Sequence, residues 1–304
     1  MAPLVLHHYK ESPYAEKIRA LFGYKGVSWH SVTVPRIAPK PDLIVLTGGY
    51  RKVPVLQCGA DVYCDTRLII EEIECRQSEP TTVASPGSFN QIVEDWVDVS
   101  LFGKAVSYTL GQNVDHLPDA FLADRAALRG APLIRSELKA AVPVANQELA
   151  RHVRWVDRAL CAGLPFVNGQ SPGSGDFTLY STLWFAARGR FDFTPFPAVV
   201  AWMARIQAFG HGQAKELSAE DALALAAENA PMPLDYESTA NDPSGLILGQ
   251  MVMVTPEMLG HGTGVRGELI GLNDGRLTLL ISTPRCGSVH VHFPRHGYRL
   301  TQAR

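Results

Sequence analysis

The spacing of apolar and polar positions changes character twice along this chain. Residues 3–9 (PLVLHHY) are a short apolar run, the mark of a buried strand. Residues 13–25 place Ile18, Leu21 and Phe22 on one helical face, and Ser12 followed by Pro13 marks the helix start. Residues 27–34 (VSWHSVTV) alternate as a strand does. This β-α-β order requires a parallel pair with a right-handed crossover. Residues 35–51 are interrupted by Pro35, Pro39, Pro41, Gly48 and Gly49, with room for one irregular helix. Residues 53–57 and 61–64 predict two short strands joined at Gly59, and 66–76 an amphipathic helix. Residues 1–78 therefore predict a thioredoxin-like α/β unit.

Between about 86 and 229 strand signals nearly vanish. Ser88 can cap a long helix carrying Ile92, Val93, Trp96, Val97, Val99 and Leu101. Further helices are predicted over 119–129, 133–161, 197–208 and 218–228, the second of them interrupted near Pro143. Residues 175–188 are apolar nearly all round, which predicts a central, buried helix. Residues 230–245 (APMPLDYESTANDPSG) read as a linker. Short β-favouring runs over 249–255, 264–272, 276–283 and 288–293 follow, separated by Gly262, Asn273-Asp274-Gly275 and Pro284. Strands this short and this numerous predict a small SH3-like β-barrel over 246–304. The expected fold class is thus a multidomain α/β, all-α and small-β protein.

Composition narrows the function classes. With 46% hydrophobic and 19% charged residues the chain can bury more than one core, and a net charge of -2 provides no global field for nucleic acid or an anionic membrane. No apolar run is long enough to cross a membrane, and the N-terminus lacks the charged start and cleavage site of a signal peptide. Five scattered cysteines without a C-x-x-C fit reduced thiols in the cytoplasm and no cysteine-based metal site.

Four motifs, in order, carry a family resemblance. They are Ser12-Pro13-Tyr14-Ala15-Glu16-Lys17-Ile18-Arg19, then Lys52-Val53-Pro54-Val55-Leu56, then Asp65-Thr66 before Ile69-Ile70-Glu71-Glu72-Ile73, and Gly173-Ser174-Gly175-Asp176-Phe177-Thr178-Leu179-Tyr180. Together they resemble the glutathione S-transferase superfamily across about residues 1–215. The first is similar to the omega and tau classes, with the serine of tau where omega has cysteine. The second resembles the family's cis-proline strand, the third its helix-opening acid-hydroxyl step, and the fourth its capping box.

The resemblance implies glutathione as co-substrate, a homodimer, and no resident metal. Ser12, at a helix N-terminus, would donate its hydroxyl to the glutathione sulfur and lower the thiol pKa, which is about 8.5 when free. By capping preference alone Ser12 would be only a helix cap, and the other motifs favour the functional reading. Tyr9 is the second hydroxyl to consider, and a plain packing role suits it as well. Val53 and Pro54 would offer backbone to the cysteinyl residue, Asp65 and Thr66 would hold the γ-glutamyl end, and Lys40 and Lys52 the glycyl carboxylate. Asp176 reads as structural, with Gly173 at the usual Ser/Thr cap.

The implied activity is attack of the glutathione thiolate on a small hydrophobic electrophile, with Val99, Phe102, Val106 and Tyr108 as pocket residues by analogy. The alternative is a non-catalytic scaffold that engages other proteins through the C-terminal barrel. Nucleic-acid binding by that barrel would rest on Arg266, Arg276, Arg285, Arg295, Arg299 and Arg304, with no aromatic stacking pattern beside them. His290 and His292 share a strand face, with His296 beyond, but no carboxylate is expected nearby, so they read as surface or barrel-packing histidines. His7 and His8 point to opposite faces and cannot act as a pair.

Overall fold

The computed structural model describes residues 2–83, 89–239, 242–257 and 264–303. Its N-terminal part runs β1 (Leu4–His8), α1 (Pro13–Lys25), β2 (Ser28–Thr33), α2 (Pro41–Thr47), β3 (Val55–Cys58), β4 (Asp61–Cys64) and α3 (Thr66–Arg76). β1 pairs parallel with β2 and antiparallel with β3, and β3 pairs antiparallel with β4. That is the thioredoxin-like arrangement. Val5 and Leu6 are both fully buried because helices cover both faces of the sheet, which is why β1 reads as a run rather than an alternation. At the start of α1 the Ser12 Oγ accepts the Ala15 amide at 3.2 Å; at its end Gly26 takes the left-handed conformation (φ 64) that closes a helix.

The helical part comprises α4 (Phe89–Trp96), a π-helical turn (Val97–Leu101), α5 (Phe102–Gln112), a short 3-10 turn (Val114–His116), α6 (Asp119–Arg129), α7 (Arg135–Ala140), α8 (Val142–Leu160), α9 (Ser174–Arg188) and α10 (Pro197–Gln207). Ser88, the expected cap of the first long helix, lies outside the described residues. The long helix expected over 133–161 is two helices, with Pro143 in the first turn of α8, where its missing N–H costs nothing. α9 is central: Phe177, Leu179 and Leu183 are fully buried.

Its start explains the glycine in the capping motif. A Cβ on Gly173 would fall 2.2 Å from Asn90 Oδ1. That oxygen accepts the Gly175 amide at 3.2 Å, so an asparagine from α4 does the work of the absent cap hydroxyl. Asp176 completes the cap and more. Oδ2 accepts from Gly173 N and Asn168 N, and Oδ1 from Val167 N and Trp202 Nε1.

β5 (Gln213–Glu216) then pairs parallel with β2, and α11 (Ala219–Ala227) leads to β6 (Met251–Pro256), β7 (Val265–Leu272), β8 (Arg276–Thr283), β9 (Gly287–Pro294) and β10 (Tyr298–Gln302). Gly262, expected to separate two of these strands, lies outside the described residues. The Asn273-Asp274-Gly275 turn is present, with Asn273 Oδ1 accepting the Gly275 and Arg276 amides.

The closed SH3-like barrel is not what these strands form. They join the N-terminal strands in one open ten-stranded sheet, ordered β10-β6-β7-β8-β9-β4-β3-β1-β2-β5. The physical reason is the use of β9. One edge pairs with β8, and the other, which would have closed a barrel onto β10, pairs parallel with β4. The core is shared to match: Leu43 and Leu46 of α2, Val62 and Cys64 of β4 and Leu223 of α11 belong to one apolar cluster with Val252, Leu279, Val291 and Phe293. Of the C-terminal arginines, Arg276 pairs with Glu71 and Asp235, Arg285 with Asp42, Arg295 with Asp242 and Arg299 with Glu257. Arg304 lies outside the described residues. The local basic charge seen in the sequence is therefore largely met by carboxylates.

Candidate active site

A cleft of about 800 Å³ opens where the start of α1, the turn before β3 and the start of α3 face α5 and α6. Tyr9, Ser12, Lys40, Lys52, Val53, Pro54, Asp65 and Thr66 all line it. The eight expected site residues, spread over nearly sixty positions, are thus brought to one place.

Ser12 is buried at the head of α1, with its Oγ lone pair on Ala15 N. The Val53–Pro54 bond is cis. Asp65 caps α3 through Oδ1, which accepts the Arg67 amide at 3.0 Å, and holds a left-handed backbone (φ 79), an unusual conformation for a residue with a side chain. Both readings of Asp65, cap and site residue, are geometrically compatible. Thr66 is the first residue of α3, and Lys17 Nζ donates to its Oγ1 at 3.3 Å. With that lone pair occupied, the Thr66 proton is available to an acceptor in the cleft.

Lys40 is 3% exposed. Its ammonium lies 5.4 Å from the centre of the Tyr9 ring, and among the described residues no carboxylate forms an ion pair with it. Burial, reinforced by the neighbouring Arg125 and Arg51 charges, pulls its pKa down to about 8. Burial also lowers Lys52, against the pull of Asp65. Tyr9 accepts a hydrogen bond from Arg125 Nη2 at 3.3 Å, so its hydroxyl is engaged with α6. Arg125 and Arg36 flank the Phe121 ring, at 4.7 and 4.9 Å from its centre.

Several residues at or behind the site were given no role by the sequence. Lys17 is 1% exposed and ion-paired with Glu94 at 3.6 Å, which ties α1 to both α3 and α4. Tyr14 donates to Asp98 Oδ1 at 3.2 Å from the π-helical turn, and Arg67 reaches the other oxygen of the same carboxylate. Burial, with Asp98 alongside, holds the Tyr14 hydroxyl far above its ordinary pKa, so it is a neutral donor. Tyr298 comes from β10. Its hydroxyl donates to Asp65 Oδ2 at 3.2 Å and accepts from Tyr50 at 3.1 Å. Pro256, His296 and Gly297 line the cleft beside it, so the C-terminal strands contribute directly to this site. Such a contact joins residues 233 positions apart and leaves no local pattern to read.

Of the residues expected in the apolar part, Phe102 and Val106 line the cleft, together with Phe121 and Phe185. Val99 is 62% exposed, and Tyr108 is buried against Phe191, so neither is part of the wall. His7 and His8 are both buried and bond separately, to Gln57 and to Ser31. Burial pulls their pKa values down to about 4 and about 3, and both are neutral at ordinary pH. Asp176 lies outside the cleft, as a structural residue would.

Known proteins share this arrangement. The family model described as the N-terminal domain of glutathione S-transferase matches residues 6–81. A GST-like protein from Pseudomonas syringae is 35% identical, covers 100% of both chains and has a TM-score of 0.79, so the likeness takes in the C-terminal strands. A glutathione S-transferase from Pseudomonas fluorescens is 15% identical, over 67% of this chain and 94% of that one, with a TM-score of 0.54. FzlA from C. crescentus is 19% identical, over 68% of this chain and 88% of its own, with a TM-score of 0.55. These last two share the fold. No curated protein matches the sequence. With a thioredoxin-like domain, a helical domain, a shared cleft and a full-length relative at this identity, the chain belongs to the glutathione S-transferase superfamily.

Proposed function

We propose that the protein binds glutathione in this cleft and activates its thiol for attack on a small electrophile. The observation that carries the proposal is the convergence of Ser12, Val53-Pro54 and Asp65-Thr66 on one cleft, two of them at helix N-termini. Ser12 donates its hydroxyl to the sulfur while the α1 dipole favours the thiolate. The Val53 backbone pairs with the cysteinyl residue. The Thr66 hydroxyl and the first amides of α3 receive the γ-glutamyl carboxylate, and Asp65, held by Tyr298, faces the α-ammonium. Lys40 and Lys52 meet the glycyl carboxylate. Phe102, Val106 and Phe185 suit an apolar electrophile, and Arg36 and Arg125 beside Phe121 add a place for an anionic group on it.

Glutathione titrated calorimetrically into wild type and Ser12→Ala, with thiolate absorbance followed against pH, tests this reading. The wild-type bound thiol should ionise about one to two units below the free value of about 8.5. Ser12→Ala should bind within a few-fold of wild type yet lose the shift. Absence of binding at millimolar glutathione would sink the proposal.

Lys40 supports a second prediction. S-methylglutathione removes the thiol titration from the measurement. Lys40 is charged below about 8 and loses its charge as pH rises. Affinity should therefore be flat below that value and fall by up to about tenfold per pH unit above it, and Lys40→Met should remove the break. An identical profile in the variant would exclude Lys40 as the glycyl partner.

A non-catalytic scaffold is the other reading. The presence of Tyr298 and His296 in the cleft favours the enzyme, because it makes the C-terminal strands part of the site rather than a separate docking module. A homodimer is supported by Phe89, Ile92 and Val99, large apolar side chains exposed along α4 and the turn after it. A cytoplasmic setting is supported by the five free cysteines.

A further inference from the structure

We propose that Asp61, His290 and His292 bind a single divalent transition-metal ion, Zn²⁺ in the first instance, at the seam between β4 and β9. In the parallel β4–β9 pair Asp61 lies opposite His290, and Tyr63 opposite His292. The two-residue period of a strand puts both imidazoles on one face, and the register sets the carboxylate beside them. The sequence shows no acid near these histidines because the acid comes from the other end of the chain.

The donor geometry is compact. One ligand atom from each of the three residues lies within 4.8 Å of the others. Asp61 Oδ1 is 3.1 Å from His292 Nε2 and 3.6 Å from His290 Nδ1. Asp61 is 2% exposed and His292 4%, so these are not solvated surface groups. His290 Nδ1 is itself buried and makes no hydrogen bond among the described residues. A hydrogen-bonded Asp61–His292 pair accounts for two members of the cluster and leaves this nitrogen orphaned. A cation between the three gives it a partner.

The surroundings hold each donor in place. Asp61 Oδ2 accepts the Met232 amide at 2.9 Å, which leaves Oδ1 for the ion. His292 Nδ1 bonds Thr278 Oγ1 at 2.8 Å, and Thr278 bonds the Tyr236 hydroxyl at 2.7 Å. That chain fixes the ring with Nε2 towards Asp61. The Tyr63 ring stacks on His292, with centroids 4.5 Å apart. Such outer contacts are what orient metal-bound imidazoles. Two nitrogens and one carboxylate oxygen suit Zn²⁺ and its transition-metal neighbours; Ca²⁺ or Mg²⁺ would ask for more oxygen donors. His290 is the more exposed ligand, so a water can take the fourth position from its side. His296 is elsewhere, in the glutathione cleft.

An ion here would fasten the C-terminal strands to the N-terminal sheet. The test uses the full-length protein, freed of metal by a chelator that is then removed. It is titrated with ZnCl₂ in a calorimeter near neutral pH and with CoCl₂ by visible absorption. The expected result is one ion per chain, a Co²⁺ spectrum of four-coordinate type, and a higher thermal midpoint with Zn²⁺. His290→Ala removes a side chain whose nitrogen bonds nothing else and should weaken Zn²⁺ binding on the order of a hundredfold. Asp61→Asn should do the same, while His296→Ala should bind as wild type does. Binding well below one ion per chain, or equal binding by wild type, His290→Ala and Asp61→Asn, would overturn the assignment. None of these readouts depends on glutathione.

Discussion

A chain that stops at Gly245, without β6–β10, is expected to lack a cooperative unfolding transition and to expose apolar surface. The reason is that β4 is an interior strand. Its outer edge pairs with β9, and the cluster beneath it is completed by Val252, Leu279, Val291 and Phe293. Cutting those strands away uncovers Leu43, Leu46, Val62 and Leu223 and leaves an unpaired edge, the combination that leads to aggregation. The measurement is near-UV circular dichroism with a hydrophobic dye, on the full chain and on the shortened one. A truncated protein with an intact transition and no added dye binding would mean that the C-terminal strands are a dispensable module. Tyr298 would be lost with them, so any truncated protein that does fold should also bind glutathione more weakly.

Asp176→Ala is expected to cost roughly 3–5 kcal/mol of folding free energy, near the top of the range for single substitutions. The carboxylate is 1% exposed and receives Val167 N, Asn168 N, Gly173 N and Trp202 Nε1. Removing it leaves four donors without this acceptor at the start of the central helix; the Gly173 amide and Trp202 Nε1 are buried and the Val167 and Asn168 amides part-buried, and each buried donor left unmade costs about 1–3 kcal/mol before relaxation. Asp176→Asn should fall between, because the amide keeps one acceptor and turns its NH₂ towards donors. Denaturant midpoints of the three proteins check this. Because Asp176 lies outside the cleft, glutathione affinity of the folded fraction should be unchanged. A wild-type midpoint in Asp176→Ala would show that the backbone there finds other partners.

Much of the molecule was legible in local pattern. The starts of α1 and α3 follow from Ser12-Pro13 and Asp65-Thr66, because caps are decided by a few neighbouring residues. The burial of β1 and α9 follows from apolar runs without a polar face. Of the eight residues expected to line the cleft, Ser12, Lys52, Val53, Pro54, Asp65 and Thr66 sit in short motifs at the end of a strand or helix, whereas Tyr9 and Lys40 belong to none. β5 was not, because its four side chains are all exposed and only its backbone pairs, which leaves no hydrophobic period.

The sequence by itself thus determined the thioredoxin-like and helical parts and the place where their motifs meet. Only the tertiary structure decided that β9 spends its free edge on β4 instead of closing a barrel. It also decided that Lys17 stands behind Thr66, that Tyr298 holds Asp65, and that Asp61 lies between two histidines from the far end of the chain. Strand register and long-range pairing depend on which edge meets which. Short β-favouring runs specify that a strand forms but not its partner.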